Sequence, residues 1–345
     1  MVKYLKSSKK LYWLSAGMVL VVLSSFLMSY AQARPAKSSR ISLLMATGAP
    51  GGVDYQVGLG LASLWTTKLK NLGIRVSAAI SEGARENIEA IRIADADLIM
   101  ADEFFCKSAY FGLGIYKDRP LEQLRSITIL WPELLHLIIR SERFNSGSIH
   151  DLEGLMIGSG LPDSSSRYIT EQLLKDTLGA KKDYKIRTVT NIGALEAWKA
   201  GSIQALSLAG GLPIPSVNFF AQQNQGLFRF IPLSESDIGN LRKESMPDVV
   251  AMKIPAGTYL GQDEDIPTVG QNNILGVTVV LDTQVIYELT RTIFENLDYL
   301  AKIHPACANI SLDKAVMGLK VPLHPGAIRY YREKKIPIPQ ELCVD

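Results

Sequence analysis

The stretch ISLLMATGAPGGVDYQ, residues 41–56, sets the pattern for the whole chain. Residues 41–46 form a short apolar run with the length of a buried strand. Residues 47–52 are too rich in Gly and Pro for a strand or a helix. From Val57 to Leu72 apolar residues recur at three- and four-residue spacing, which predicts a helix. A strand, a glycine loop and a helix N-terminus leave backbone N–H groups free for a ligand, although a plain strand-to-helix turn has the same pattern.

The N-terminus has the composition of a secretory signal. Four lysines precede an apolar segment at residues 11–28, and Ala31-Gln32-Ala33 follows. We therefore expect residues 1–33 to direct export and to be cleaved, while an uncleaved membrane anchor remains the alternative. Export makes the protein periplasmic or otherwise extracytoplasmic.

Charge and length limit the function classes. Removing residues 1–33 leaves 33 basic against 34 acidic residues, so the basic isoelectric point belongs to the leader. A nearly neutral exported chain gives no electrostatic reason to expect nucleic acid as a partner. The mature length favours two domains over one.

Cysteines and histidines give no catalytic or metal-binding pattern. In an oxidising compartment Cys307 and Cys343 are the expected pair, and Cys106 is expected to pack as a small apolar residue. The four histidines are far apart without H-E-x-x-H spacing, and neither a G-x-S-x-G elbow nor zinc-spaced cysteine pairs occur. We predict no metal, no cofactor and no enzymatic activity.

Strand and helix patterns alternate along the chain, which predicts an α/β fold with parallel sheets. The predicted elements of the first lobe are the strands 41–46, 74–80 and 98–101 with helices between them. A second series follows, with strands 134–140, 155–158, 185–189 and 205–209 and helices 165–178 and 194–200. A late strand at 274–281, a helical stretch at 284–303 and a helix at 325–333 complete the chain. Two α/β lobes in one chain place a cleft between them.

Two stretches resemble the TAXI family, the solute-binding receptors of a class of TRAP transporters. They are IPAGTYLGQDEDIPTVG at residues 254–270 and VPLHPGAIRYYRE at residues 321–333. Weaker similarity extends over residues 47–52, 81–87, 134–140, 149–154, 209–215 and 294–305. The resemblance implies a two-lobed type II periplasmic-binding-protein fold, each lobe a mostly parallel sheet flanked by helices. Residues 34–132 plus 280–345 would form lobe I and residues 133–279 lobe II.

The resemblance also implies a function. It predicts a monomeric receptor that captures a small organic anion or amino acid, such as glutamate, glutamine or a dicarboxylate, and delivers it to a TRAP permease. A ligand-sensing module for a membrane signalling partner is the alternative. This chain departs from similar proteins at Asp54, at 102–104 and at 164–166, where Ser-Ser-Ser stands for Ser-Gly-Thr although Pro162 is kept. These positions fall on expected cleft loops. The resemblance therefore predicts the fold better than it predicts the ligand.

The candidate ligand-binding residues lie at the predicted strand-to-helix turns. Backbone donors around the first glycine loop could bind a carboxylate, and Arg85 is the cation on this rim. Asp102 could bind an ammonium group; because side chains alternate along a strand, Asp102 and Glu103 should not both face the cleft. Serine hydroxyls that open helix 165–178 suit an anion, and some of the turn residues could instead act as helix caps. The predicted set is Thr47, Gly48, Gly52, Tyr55, Ser81, Gly83, Arg85, Asn87, Asp102, Pro162, Ser164, Ser165, Ser166, Gly210 and Tyr259.

Overall fold

A computed structural model describes residues 40–179 and 184–344. The predicted leader, residues 1–33, and its cleavage site lie outside these residues. Within them, no helix is both long enough and apolar enough to cross a membrane.

Ten strands of the described part of the chain join in one mixed sheet. They are β1 (Ile41–Ala46), β2 (Ile74–Ala79), β3 (Leu98–Asp102), β4 (Leu124–Arg140), β5 (Met156–Ser159), β6 (Lys185–Thr188), β7 (Ala205–Gly210), β8 (Phe228–Phe230), β9 (Val250–Ile254) and β10 (Ile266–Thr278). The order across the sheet is β2-β1-β3-β10-β4-β7-β5-β6, with β8 paired to β4 and β9 paired to β10.

Helices connect and cover these strands. The α-helices are α1 (Val53–Lys68), α2 (Ala84–Arg92), α3 (Glu103–Phe111), α4 (Ser165–Leu178), α5 (Ala194–Lys199), α6 (Pro215–Gln223), α7 (Glu235–Glu244), α8 (Thr283–Phe294), α9 (Leu297–Ile303) and α10 (Pro325–Glu333). Short 3-10 turns occur at Lys70–Leu72, Gly114–Tyr116, Ser141–Arg143, Ile149–Leu152, Pro305–Asn309 and Gln340–Leu342.

The sheet has two parallel parts linked by two long antiparallel strands. β1 pairs with β3 in parallel, and β5 pairs in parallel with both β6 and β7. β4 and β10 run antiparallel to each other and to their neighbours β7 and β3. We call β1–β3 with α1–α3 and α8–α10 the first half, and β5–β9 with α4–α7 the second half. β4 and β10 run through both halves, and the predicted α/β class is confirmed.

Each half has its own apolar packing. In the second half one cluster lies under α4 and α7, around Leu173, Leu174 and Leu241. A second cluster on the other face contains Trp198 and Phe220, whose rings meet edge to face at 4.9 Å. In the first half, Trp65 of α1 is fully buried and donates its indole N–H to the Leu289 carbonyl of α8 at 3.0 Å. The C-terminal helices therefore pack against the first helix of the chain.

Most predicted elements are confirmed, and those at residues 41–46, 165–178 and 325–333 match to the residue. Two predictions about the linking segments were wrong. The strand expected to begin at 134 is the end of the 17-residue strand β4, in which Pro132 is accommodated at a pairing irregularity. The late strand expected at 274–281 begins already at Ile266 and ends at Thr278. In addition, the helix expected over 284–303 is interrupted between Phe294 and Leu297.

The cysteine pairing predicted from the sequence is wrong. Cys106, Cys307 and Cys343 are all free thiols. Cys307 is buried in the 3-10 turn that follows α9, whereas Cys343 lies beside α10 next to Pro325 and Ile328. The C-terminal end of the chain lies beside the start of α10, because Leu323 donates its backbone N–H to the Leu342 carbonyl at 3.0 Å. The expected burial of Cys106 is confirmed, since it has no exposed surface.

Candidate functional site

A cavity of about 70 Å³ lies where the strand ends of the two halves meet. Glycines, small polar residues and carboxylates line it, and they come from both halves. The lining residues are Gly48, Ala49, Gly52, Val53, Asp54, Glu82, Gly83, Ala84, Asp102, Glu133, Gly160, Leu161, Ser164, Ser165, Ser166, Val189, Thr190, Asn191, Ala209, Gly210 and Ile214.

Within the described residues, five helices of nine or more residues have their N-cap residue in this lining, and they are α1, α2, α3, α4 and α6. Helices α1 and α2 start after Gly52 and Gly83, and neither glycine supplies a side-chain cap. Helix α4 starts after Ser164, whose hydroxyl accepts the backbone N–H of Arg167 at 3.2 Å. Because the first N–H groups of a helix have no partner inside it, these starts give the cavity wall a partial positive charge.

Three carboxyl groups and two amides meet at the floor of the cavity. Asn273 donates its side-chain N–H groups to Asp54 Oδ1 and to Glu133 Oε1, each at 2.8 Å. Gln271 donates to Asp102 Oδ1 at 2.7 Å. We call Asp54, Asp102 and Glu133 the carboxyl cluster. They come from the first turn of α1, the end of β3 and the middle of β4.

Antiparallel pairing brings these residues together. Gln271 of β10 stands opposite Glu133 of β4, and Asn273 stands opposite Asp102 of β3. Since residues two apart on a strand share a face, both amides point to the side from which Asp54 approaches. The cluster is thus a consequence of strand register.

Burial and mutual repulsion change the acidity of the cluster. The pKa of Asp54 is raised well above its usual value by burial, and the charge of Glu133 raises it further. The pKa of Asp102 is raised by the same two causes, in the same order, with Asp54 adding to them. Among the described residues, no Lys, Arg or His lines the cavity. These shifts favour the protonated, uncharged forms of Asp54 and Asp102.

Direct contacts join the two halves beside the cavity. Ser165 of α4 donates its hydroxyl to Asp102 Oδ2. At the rim, Arg85 forms an ion pair of 3.3 Å with Asp163 and donates to the Pro162 carbonyl at 3.2 Å. The backbone N–H of Ser216 donates to the Gly51 carbonyl at 3.2 Å. The two halves are therefore closed onto each other at this site.

A buried hydrogen-bond chain holds the loop that carries Ile214. His136 Nδ1 lies 2.9 Å from the Leu134 carbonyl, and its Nε2 lies 2.8 Å from the Tyr259 hydroxyl. That hydroxyl accepts the backbone N–H of Ile214 at 2.8 Å. Burial lowers the pKa of His136 to about 4, so the ring is neutral, donates from Nδ1 and accepts at Nε2. Tyr259 thus positions a lining residue without lining the cavity itself.

A second, outer cavity of about 360 Å³ adjoins the first. The two share Ala49, Glu82, Leu161 and Thr190. The outer cavity also borders Ile80 and Ile192, whose side chains are 60% and 65% exposed. The polar inner cavity therefore opens toward an apolar rim.

A family model for the NMT1-like family matches residues 45–334. This chain belongs to the NMT1-like family. The match includes every residue that lines the two cavities described above.

Solved structures similar to this NMT1-like protein include an ABC transporter protein and two binding proteins. An L-cystine ABC transporter protein from Listeria monocytogenes has 9% identity and a TM-score of 0.47, over 78% of this chain and 97% of that one. An ancestral arginine-binding protein bound to arginine has 15% identity and a TM-score of 0.46, over 78% and 98%. The alkanesulfonate-binding protein from Xanthomonas axonopodis pv. citri, bound to MOPS, has 13% identity and a TM-score of 0.44, over 85% and 90%. The similarity concerns the fold alone.

The NMT1-like chain brings part of the predicted site together at the inner cavity. Eight predicted residues line it: Gly48, Gly52, Gly83, Asp102, Ser164, Ser165, Ser166 and Gly210. Ser81 lies at the outer cavity instead. Asp102 faces the cavity, whereas Glu103 points away and accepts the backbone N–H of Lys320 at 2.5 Å.

Six predicted residues lie outside both linings. Thr47 and Asn87 are fully buried and join strand ends: Thr47 donates to the Ala79 carbonyl, and Asn87 donates to the carbonyls of Thr47 and Met100. Arg85 and Pro162 lie at the rim contact between the halves. Tyr259 supports Ile214 as described above, and Tyr55 lies in the first turn of α1.

The NMT1-like site also contains residues that were not predicted, chiefly Asp54, Glu133, Gln271 and Asn273. A signal for Glu133 exists in the sequence, because it is the only acid in the apolar segment LWPELLHLII. A lone acid in a buried strand is costly unless it has partners. Gln271 and Asn273 give a similar signal at alternate positions of a β-branched strand, but nothing in the sequence pairs them with Glu133.

Among the described residues, no group of three or more His, Cys, Asp or Glu side chains is arranged to hold a metal ion. Ser165 has a carboxyl partner, and none of the described residues that line the cavity is a histidine. The lining offers backbone and side-chain hydrogen-bonding groups together with carboxyl groups.

Proposed function

We propose that this protein is an extracytoplasmic receptor that captures a small carboxylate-bearing solute and delivers it to a membrane permease of the TRAP type. The observation that carries the proposal is the cavity between the two halves, which has uncapped helix N-termini on its wall and carboxyl groups on its floor.

The helix starts suit the anionic end of the solute. Backbone N–H groups at the starts of α1 and α2 point their positive ends at a carboxylate without any cationic side chain. The start of α4 adds further backbone N–H groups from the second half. A solute carboxylate would thus be bound by both halves at once.

Binding from both halves explains capture. A solute that contacts α1 and α4 together gains contacts only when the halves are closed, so it shifts the population toward the closed state. We propose that β4 and β10 act as the two connections, with residues up to 132 and from 280 onward moving as one lobe and residues 133–279 as the other.

Delivery to a permease is supported by the two TAXI-like stretches. Residues 254–270 form the end of β9, a turn and the start of β10, and they expose Leu260 at 48%. Residues 321–333 include α10 on the first half. The basic and apolar leader at residues 3–28 supports export to the compartment in which such receptors act.

The test is to identify what the protein binds. Mass spectrometry of the protein purified and then denatured should release one small solute in near-stoichiometric amount. Calorimetry with glutamate, glutamine and 2-oxoglutarate should give heat with at least one of them. If no small molecule co-purifies and no small organic solute in a wider panel binds, the receptor proposal is wrong.

A further inference from the structure

The floor of the inner cavity has few hydrogen-bond donors besides protons on its own carboxyl groups. The three carboxyl groups of the cluster offer many acceptor positions, since each can accept about four hydrogen bonds when it is ionised. The donors that meet them are the amides of Gln271 and Asn273 and the hydroxyl of Ser165. No cationic side chain among the described residues lines the cavity. Apart from protons bound by the carboxyl groups, the described residues that line the cavity bring no positive side chain to this floor.

The two buried amides give an independent sign of the same deficit. Asn273 is 1% exposed, and its side chain is directed into the cluster by bonds to Asp54 and Glu133. Its Oδ1 nevertheless has no hydrogen-bond partner. Gln271 is 5% exposed and bonds Asp102 through its nitrogen, while its Oε1 likewise has no partner. Buried acceptors without donors are rare and call for an explanation.

The geometry favours an organic cation over a metal ion. Within the described part of the chain, no three acidic, His or Cys side chains are arranged for metal coordination. An ammonium group, in contrast, needs only acceptors that surround it, because it carries three N–H donors in a small volume. The cavity of about 70 Å³ has room for such a group or for a few water molecules.

We propose that the carboxyl cluster Asp54, Asp102 and Glu133 binds the protonated amine of the solute, so that the ligand class is primary amines, amino acids included, and excludes plain dicarboxylates. This inference rests on the proposed receptor function. The ammonium group takes the place at the floor, and the remainder of the solute extends toward the helix starts and the outer cavity. Asp54 and Asp102 enclose it from the first half, and Glu133 does so from β4.

The test compares ligands that differ only in the amine. A thermal-shift panel of amino acids, diamines and dicarboxylates identifies binders, and calorimetry then measures each hit against its deaminated analogue. Glutamate and glutarate are one such pair, and 4-aminobutyrate tests whether the second carboxylate is needed. We expect the tightest binder to carry an amine, and its deaminated analogue to bind at least about tenfold more weakly, as the loss of a charged hydrogen bond implies.

Substitutions test the same assignment in the full-length mature protein. Asp102→Asn and Glu133→Gln keep the shape of the side chains and should each weaken the amine ligand between about tenfold and a hundredfold. Glu103→Gln is the matched control, because Glu103 is the adjacent buried acid and points away from the cavity. The melting temperature without ligand shows whether each variant folds.

The outcomes separate this inference from the receptor function. If a dicarboxylate binds as tightly as its aminated counterpart, the amine assignment is overturned and the receptor function stands. If Glu103→Gln weakens binding as much as Asp102→Asn does, the cluster has no special role and the assignment is also overturned. If no solute of any class binds, both proposals are wrong together.

Discussion

Ser165 donates its hydroxyl to Oδ2 of Asp102 and so links the first turn of α4 to the end of β3. The two residues belong to different halves of the molecule, and both line the inner cavity. This bond holds Asp102 in place in the closed arrangement. A solute that enters the cavity therefore meets a carboxyl group that is already oriented from both sides, by Ser165 and by Gln271.

Ser165→Ala should weaken solute binding by about 0.5–1.5 kcal/mol, the net value of one hydrogen bond, because Asp102 loses one of its two donors. Calorimetric Kd values for the wild type and the variant measure the change. Ser202→Ala serves as a control, since its hydroxyl bonds the Ala197 carbonyl away from the cavity. Unchanged affinity in Ser165→Ala would show that this contact does not matter for the liganded state.

Arg85 offers a prediction about closure. Its ion pair with Asp163 is partly exposed, so it should contribute about 0.2–1 kcal/mol to the closed state. Arg85→Ala and Asp163→Ala should therefore reduce affinity by similar small amounts, and the double variant should lose little more than either one. A calorimetric double-mutant cycle measures this coupling. A loss of about 1.5–3 kcal/mol in Arg85→Ala alone would instead mean that the guanidinium contacts the solute.

Local patterns account for much of the fold. The strand 41–46 and the helix 165–178 match to the residue because apolar periodicity and the turn residues that bound them agree. Glycines and serines at the cavity were also predicted from the sequence, because ligands bind where strands end and helices begin. The length of β4 was missed, because Pro132 and Glu133 interrupt an apolar run that the sheet nonetheless carries through.

The carboxyl cluster could not be predicted in the same way. Asp54 is 219 residues from its partner Asn273, and Glu133 is 140 residues from it. Their meeting depends on the antiparallel register of β4 and β10, and a shift of one residue would turn Gln271 and Asn273 to the other face. Long-range register leaves no local signal in the sequence. Glu133 within an apolar strand, and the two amides of β10, indicate that polar partners exist but not which residues they are.

Tyr259→Phe should destabilise the fold. The change removes the hydroxyl that accepts the Ile214 N–H and that donates to His136 Nε2, so two buried groups lose their partner. Leaving a buried polar group unpaired costs about 1–3 kcal/mol. Urea unfolding with circular dichroism measures the loss. Tyr299→Phe is the control, because Tyr299 is 40% exposed, and an equal loss there would contradict the role given to the hydroxyl of Tyr259.

Glu103 should make the stability of the unliganded protein depend on pH. Burial raises the pKa of Glu103 to about 8, above its usual value of 4.5. Between these two values the folded protein binds more protons than the unfolded chain does, so the free energy of unfolding falls as pH rises. The contribution of Glu103 is present below the unfolded pKa and is lost as pH passes the folded pKa.

Glu103→Gln removes this dependence, so the variant should gain stability relative to the wild type between about pH 5 and pH 9. Urea midpoints measured at pH 5, 7 and 9 give the difference between the two proteins. Asp54 and Asp102 change the pH dependence of the free energy of unfolding in the same direction in both proteins. Their contributions therefore cancel in the difference between the two proteins. Parallel curves for wild type and variant would show that Glu103 is not a buried neutral acid.

Solute binding should release protons if the carboxyl cluster takes an amine. Burial and the charge of Glu133 raise the pKa of Asp54 and of Asp102, so these groups lose their protons at a higher pH than free carboxyl groups do. The titratable groups that face this site are Asp54, Asp102, Glu133 and Glu82 on the cavity wall, with the Arg85 and Asp163 pair at the rim. An ammonium group favours the ionised carboxylates, whereas a primary amine such as that of lysine itself stays protonated up to about pH 10. Affinity should therefore rise with pH from the usual carboxyl range toward the raised pKa values.

Calorimetry of the same ligand in phosphate and in Tris, which differ in ionisation enthalpy, counts the protons released. Asp102→Asn should reduce that count, while Glu103→Gln should leave it unchanged because Glu103 points away from the cavity. Proton uptake on binding, or equal heats in the two buffers, would contradict an amine at the cluster, since an anion placed there would draw protons in.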